Sequence, residues 1–179
     1  VLVASGRGAH WGILIKEAQS LEIAARVTTV VLDKTGTVTA GKPAVVEILL
    51  AEETTRAELL AIAASAERLS SHPLAKAVVD AAVSEAIGLL PAAALRVVPG
   101  KGIEAEVGGR KVLIGQEELL AKHRVALPPS LAPILAERRT RGETALLIAI
   151  DGIYRGAIFV ADPVAANSRA AIAELRGMG

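Results

Sequence analysis

The sequence contains no cysteine, so neither a disulfide nor a thiolate-held metal is part of it, an absence that suits a reducing setting. Aromatic residues are nearly as scarce. Trp11, Tyr154 and Phe159 are the whole set in 179 residues, which leaves few side chains on which a nucleobase could stack. Neither sign of charge prevails: Lys+Arg 20 stands against Asp+Glu 19, a net +1. A balanced surface offers no broad attraction to nucleic acid or to an acidic lipid surface. Hydrophobic residues make up 52%, yet every apolar run is broken by charge or glycine well short of the roughly 18 residues a membrane span needs. No signal or targeting motif is visible. What remains reads as a globular chain, long enough for one or two domains with a sizeable core. It begins at Val1 without Met and stops at Met178-Gly179 just after a helical pattern, the expectation being a piece of a larger protein.

The most informative stretch is Asp33-Lys34-Thr35-Gly36-Thr37-Val38-Thr39. It follows Val30-Val31-Leu32, an apolar β-type run, so Asp33 is expected where a buried parallel strand runs out into a loop. Chemistry in open α/β sheets gathers at such strand ends. A carboxylate there can act as a nucleophile, and one that faces a phosphoryl group needs Mg²⁺ and hydrogen-bond donors to offset charge. Lys34 brings a positive charge, Gly36 lets backbone come close, and the hydroxyls of Thr35 and Thr37 can bond phosphate oxygens. A second phosphate-loop pattern, Gly36 followed by Gly41-Lys42, fails because Pro43 stands where that loop needs a Ser or Thr hydroxyl. Gly41-Lys42-Pro43 reads instead as a hinge between domains.

The seven residues resemble the phosphorylation loop of the P-type ATPases: Asp-Lys-Thr-Gly-Thr, an apolar residue, then Thr. The resemblance implies that Asp33 becomes an aspartyl phosphate, that Asp33 and the main-chain carbonyl of Thr35 hold Mg²⁺, and that Lys34 and Thr37 serve the transferred phosphoryl group. The lead before it, with Gly8-Ala9, Gly12-Ile13-Leu14-Ile15-Lys16 and Leu21-Glu22, is similar to the heavy-metal branch of that family, in which such a lead continues from a transmembrane helix.

Periodicity sets out the rest. A short strand is expected at Gly12–Lys16 and a short helix at Glu17–Ala25. After a strand at Ala44–Leu50, Thr55-Arg56-Ala57-Glu58 is a capping box opening a helix with Leu59, Ile62, Ala63 and Ala66 on its core face. A second helix begins after Ser71, with Pro73 fixing its first turn and His72 at its positive end. Residues 103–114 alternate with period two around Gly108-Gly109, a hairpin. Helices are expected over Glu117–Lys122 and Ser130–Arg139, strands over Thr144–Ile150 and Ile153–Val160. The middle is thus expected to be an antiparallel sheet with helices on one face, and Asp162-Pro163 to cap a last helix presenting Ser168, Ala171, Ile172 and Leu175 and stopping at Gly177.

The resemblance covers nearly the whole chain. The nucleotide-binding domain of heavy-metal P-type ATPases carries a Glu, a Ser-x-His-Pro motif, a Gly-x-Gly turn and a Gly-Asn pair. These fall on Glu67, His72 with Pro73, Gly100 with Gly102, and Gly115 with Gln116, where Gln replaces the family's Asn. The fold this implies is α/β: a partial haloacid-dehalogenase-like phosphorylation domain in 1–41 and 161–179, with an inserted α+β nucleotide-binding domain in 42–160. The implied substrate and cofactor are ATP and Mg²⁺. The implied setting is the cytosolic part of a membrane pump that exports a heavy-metal ion, copper favoured over zinc or cadmium, through transmembrane and actuator domains outside this chain. The Thr-Gly-Asp and Gly-Asp-Gly loops that complete the family's Mg²⁺ site do not occur here, so the chain alone is not expected to turn over. Two alternatives stay open: a haloacid-dehalogenase-type phosphatase or phosphotransferase, and a nucleotide-binding module without catalysis. Those phosphatases carry a second carboxylate as general acid and base two positions after the nucleophile. Here Thr35 stands there and cannot do that work near neutrality.

Overall fold

The computed structural model describes residues 2–178. Its centre is a six-stranded sheet in the order β1-β6-β5-β4-β3-β2, built from β1 Ala44–Leu50, β2 Ala92–Val98, β3 Gly102–Val107, β4 Arg110–Gly115, β5 Thr144–Ile150 and β6 Ile153–Ala161. Every neighbouring pair is antiparallel. The β3–β4 hairpin turns at Gly108-Gly109, both with positive φ, as the two-residue loop requires.

Alternation along the strands sends side chains to two separate cores, so helices cover both faces rather than the one expected from sequence. On one face Ile103, Ala105, Ile114, Leu146, Ile148 and Ile158 pack under α3 Arg56–Glu67 and α4 Pro73–Ser84. On the other, Leu113, Leu147, Ala157 and Phe159 pack under α5 Glu117–Lys122 and α6 Leu131–Thr140. The reason lies in β4 and β5, whose residues are apolar at consecutive positions: Val112, Leu113 and Ile114, and Leu146 through Ile150, are all buried. A strand apolar on both sides must be covered on both sides.

α3 begins as its cap predicts, with the Thr55 hydroxyl accepting from Glu58 N–H at 3.2 Å. Glu58 does not close the box in return, because Arg110 takes its carboxylate at 3.1 Å.

The flanks differ more from expectation. Leu2–His10 is helical (α1) and Ala18–Ala24 forms the expected short helix (α2), but Gly12–Lys16 and Val30–Leu32 are not strands. Val31 is 91% exposed. A parallel strand exists only when a neighbour accepts its ladder bonds, and no described residues pair with this run. The last helix, α7 Ser168–Gly177, starts after Asn167 rather than at Asp162. It runs through Gly177, and Leu175 on its expected inner face is exposed.

Asp162 has other work. The two chain segments that lead into and out of the sheet cross side by side: Thr39 bridges Val164, Ala40 N–H donates to the Pro163 carbonyl and Ala165 N–H to that of Val38. The Asp162 carboxylate ties this crossing, accepting from the buried Thr39 hydroxyl at 2.5 Å and from Lys42 N–H at 3.0 Å.

Candidate functional site

Four strands bring one end of the sheet to a common rim. The turn between β2 and β3, the end of β4 and the start of β5 all lie there, and the C-terminus of α3 and the N-terminus of α4 arch over it. Between them is a cavity of ≈ 220 Å³ lined by Glu67, His72, Gly100, Gly102, Gly115 and Gln116, together with Lys101, Thr144 and apolar walls that include Val98, Ile103, Ile114 and Leu146. All six residues singled out beyond position 60 in the sequence therefore meet at one place.

Glu67, the last residue of α3, is 6% exposed. Burial pushes its carboxyl up to about 7, and among the described residues no cation pairs with it. A carboxyl with that affinity for its proton can both donate and accept, which suits a heterocycle carrying an amino group beside a ring nitrogen.

His72 is the N-cap of α4: its Nδ1 accepts from Leu74 N–H at 3.2 Å. An imidazole that accepts through Nδ1 carries its proton on Nε2, so the cap fixes the tautomer. The second nitrogen is left as a donor. Pro73 at the first helical position lacks the N–H that would otherwise need a partner.

The three glycines of the cavity do different work. Gly102 has φ +139, and a Cβ there would lie 2.1 Å from the Ile114 carbonyl oxygen; one on Gly115 would lie 2.1 Å from that of Lys101. These two residues let strands β3 and β4 close on each other, and so build the cavity floor from bare backbone. Only Gly100 presents open space where a side chain would be. Gln116 is exposed and holds α5 through its carbonyl, with no cap from its side chain.

The Asp33 loop lies apart from this cavity, none of its residues lining it. Asp33, Lys34, Thr35 and Thr37 are exposed. Residues 34–38 form a wide turn rather than a helix, closed by Thr39 N–H to the Lys34 carbonyl at 2.9 Å. Gly36, at φ 78, supplies the left-handed step, and its N–H points at the Thr39 hydroxyl at 3.3 Å. Asp33 is thereby carried on a turn pinned through Thr39 to Asp162. Lys34 Nζ sits 3.7 Å from where a Cβ of Gly142 would be, in the turn between α6 and β5.

Sequence reasoning missed Thr144 and the apolar walls. A hydroxyl residue at the start of an apolar strand was the available signal, and it is a weak one. Among the described residues no three His, Asp or Glu side chains come close enough together to hold a metal ion. The oxygens of the Asp33 carboxylate and the Thr35 carbonyl are hard donors, the kind Mg²⁺ takes when substrate phosphates and water complete its shell.

Residues 27–179 match the model of the haloacid dehalogenase-like hydrolases. The chain is 35% identical over its full length to a probable copper-exporting P-type ATPase V of Mycobacterium tuberculosis, of which it covers 23%. It is 38% identical to the copper-transporting ATPase HMA5 of Oryza sativa, covering 18% of it. Among solved structures, a zinc-transporting PIB-type ATPase in its E2·Pi state superposes with a TM-score of 0.82 at 36% identity, over 98% of this chain and 28% of that one. The chain thus spans about a quarter or less of the length of these relatives.

Proposed function

Since the chain belongs to the haloacid dehalogenase-like hydrolases and, within them, to the heavy-metal P-type ATPases, we propose that it binds ATP in the cavity beside Glu67 and His72 and accepts the γ-phosphoryl group on Asp33. The convergence of Glu67, His72, Gly100, Gly102, Gly115 and Gln116 on one cavity carries this reading. They come from four separate stretches of sequence, each of which alone would be a cap, a turn or a surface charge.

In this reading residues 42–160 form the nucleotide-binding domain, and 1–41 with 161–179 contribute to the phosphorylation domain. Adenine enters with the Glu67 carboxyl exchanging hydrogen bonds with its amino and ring nitrogens, while Nε2–H of His72 donates. A polar, hydrogen-bonded base pocket accords with a sequence that has almost no aromatics. The sheet domain then swings on the crossing segments at Ala40–Pro43 and Ala161–Ala165, bringing the nucleotide to the loop. A carboxylate oxygen of Asp33 attacks the γ-phosphorus, the bond from that phosphorus to the β–γ bridging oxygen breaks, and ADP leaves. Lys34 offsets charge on the reacting oxygens, and Thr37 and backbone N–H groups hold the phosphoryl group in line. Asp33 and the Thr35 carbonyl would hold Mg²⁺, which when bound neutralises phosphate charge.

Thr35 supports a pump over a phosphatase. With no second carboxylate in the loop to activate water, the acyl phosphate lasts long enough to drive a conformational change. The wider setting we propose is the cytosolic part of a membrane protein that exports a heavy-metal ion, copper favoured, its hydrolysis coupled to transport in membrane segments of the same polypeptide.

The test is phosphoenzyme formation in membranes containing the whole pump. Labelled γ-phosphate should appear in acid-precipitated protein, be released by hydroxylamine, and be absent in Asp33→Asn. Equal labelling of Asp33→Asn would overturn the assignment.

A further inference from the structure

The cavity has a rim residue to which neither motif nor comparison assigns a role. Thr144 opens β5, and strand alternation puts it on the same face as Leu146 and Ile148, which belong to the core beneath α3 and α4. That is the cavity's face, and Thr144 lines the cavity there. It also lines the adjoining cleft of ≈ 370 Å³ beside α5 and α6, sharing that position with Gln116 and Ala145. Thr144 thus stands at the doorway between the two.

Its surroundings are fixed. Gly142 N–H donates to the Arg139 carbonyl at 3.0 Å and Glu143 N–H to that of Arg138 at 3.1 Å. The Glu143 carboxylate pairs with the Arg138 guanidinium at 3.1 Å. The side-chain hydrogen bonds nearby belong to Arg138, Thr140 and Arg141, and the Thr144 hydroxyl itself has no partner among the described residues. A half-buried hydroxyl on the cavity rim with a free donor is placed for a ligand. Two residues before it is Gly142, and the Lys34 ammonium lies 3.7 Å from where a Cβ of Gly142 would be. Two residues of chain span at most roughly 7 Å, so this part of the rim lies close to Lys34 of the phosphorylation loop.

We propose that Thr144 is a nucleotide-positioning residue whose hydroxyl donates to a phosphate oxygen of a bound nucleoside di- or triphosphate, directing the phosphate chain out of the cavity toward Lys34. The assignment rests on the reading of the cavity as a nucleotide site, and names a contact that reading does not contain. It requires discrimination by phosphate: adenosine, which ends before the rim, gains nothing from Thr144.

The experiment is calorimetric titration of this chain with adenosine, AMP, ADP and ATP, for the parent, Thr144→Val and Thr144→Ser. Valine keeps the shape and suits a strand, and serine keeps the hydroxyl. Loss of one hydrogen bond to a charged oxygen should weaken ADP and ATP roughly tenfold in Thr144→Val, leave adenosine within about twofold of the parent, and be restored by Thr144→Ser. An equal loss for adenosine and ATP would make Thr144 a structural or sugar contact and overturn the proposal, as would unchanged ATP binding by Thr144→Val. Those outcomes leave the nucleotide site standing, because the parent still binds ATP. A parent that binds no nucleotide overturns both.

Discussion

Glu67 makes the stability of this protein depend on pH in an unusual direction. Its carboxyl is pushed up to about 7 by burial alone, against 4.5 for the unconstrained group. Below pH 4.5 both folded and unfolded chains hold the proton and nothing is lost. Between pH 4.5 and about 7 the unfolded chain ionises while the folded one keeps its proton, so stability falls as pH rises. Above about 7 the folded carboxyl ionises too and the deficit stays constant. A shift of that size corresponds to about 3 kcal/mol. The assay is urea unfolding at intervals from pH 4.5 to 8.5, for the parent and for Glu67→Gln, a neutral near-isostere. His72 and Lys101, the other titratable groups lining the cavity, are present in both, so the difference between the two curves isolates Glu67. The parent should lose about 3 kcal/mol relative to Glu67→Gln across this range. Parallel curves would show that the carboxyl is not held protonated, and would refute the account of Glu67 as buried without a compensating charge. Bound ATP that accepts and donates at this carboxyl should also weaken as pH rises through about 7 in the parent and not in the variant.

Further outcomes follow from other contacts. Gly102→Ala places a Cβ 2.1 Å from the Ile114 carbonyl oxygen at φ +139; combined overpacking and backbone strain should cost about 3 kcal/mol, read as a lowered urea midpoint, and nucleotide binding should be lost with the floor of the cavity. Thr39→Val removes the hydroxyl that bonds Asp162 at 2.5 Å and leaves that carboxylate without its closest donor, a loss of about 1–3 kcal/mol in thermal unfolding. Tyr154 is the reverse case. Its hydroxyl is buried with no partner among the described residues, and burial pushes it up to about 12, so Tyr154→Phe should raise stability by about 1 kcal/mol rather than lower it.

The sheet was legible because its strands carry their own punctuation. Gly108-Gly109 marks a hairpin, and Thr55 and Pro73 mark helix starts, all of them short-range signals. Coverage of the second face was not legible as a topology, although the unbroken apolar run of Leu146 to Ile150 held the clue. The flanks failed for a different reason. Val30-Val31-Leu32 has the composition of a buried parallel strand, but composition states only what a segment could bury, and a strand needs a partner for its ladder. Asp162-Pro163 reads as a helix cap by residue type, whereas Thr39, more than 120 positions earlier, takes the carboxylate. Of the site, His72 and Gly102 were found by resemblance, while the reasons they are needed came from geometry: one caps a helix and so fixes its own tautomer, the other lets two strands touch. Thr144 carried no signal because one hydroxyl at a strand start is common.

The most direct test of the nucleotide site is an ATP titration followed by amide chemical shifts, in the parent, His72→Ala and His72→Asn. Asn is a good N-cap, so it keeps the start of α4 while removing the imidazole donor. The account predicts that ATP moves the signals of Glu67, His72, Gly100, Gly102 and Gly115, and that both variants bind ATP clearly more weakly, His72→Asn with its fold intact. Shifts confined to residues away from this cavity, or full affinity in His72→Asn, would contradict it.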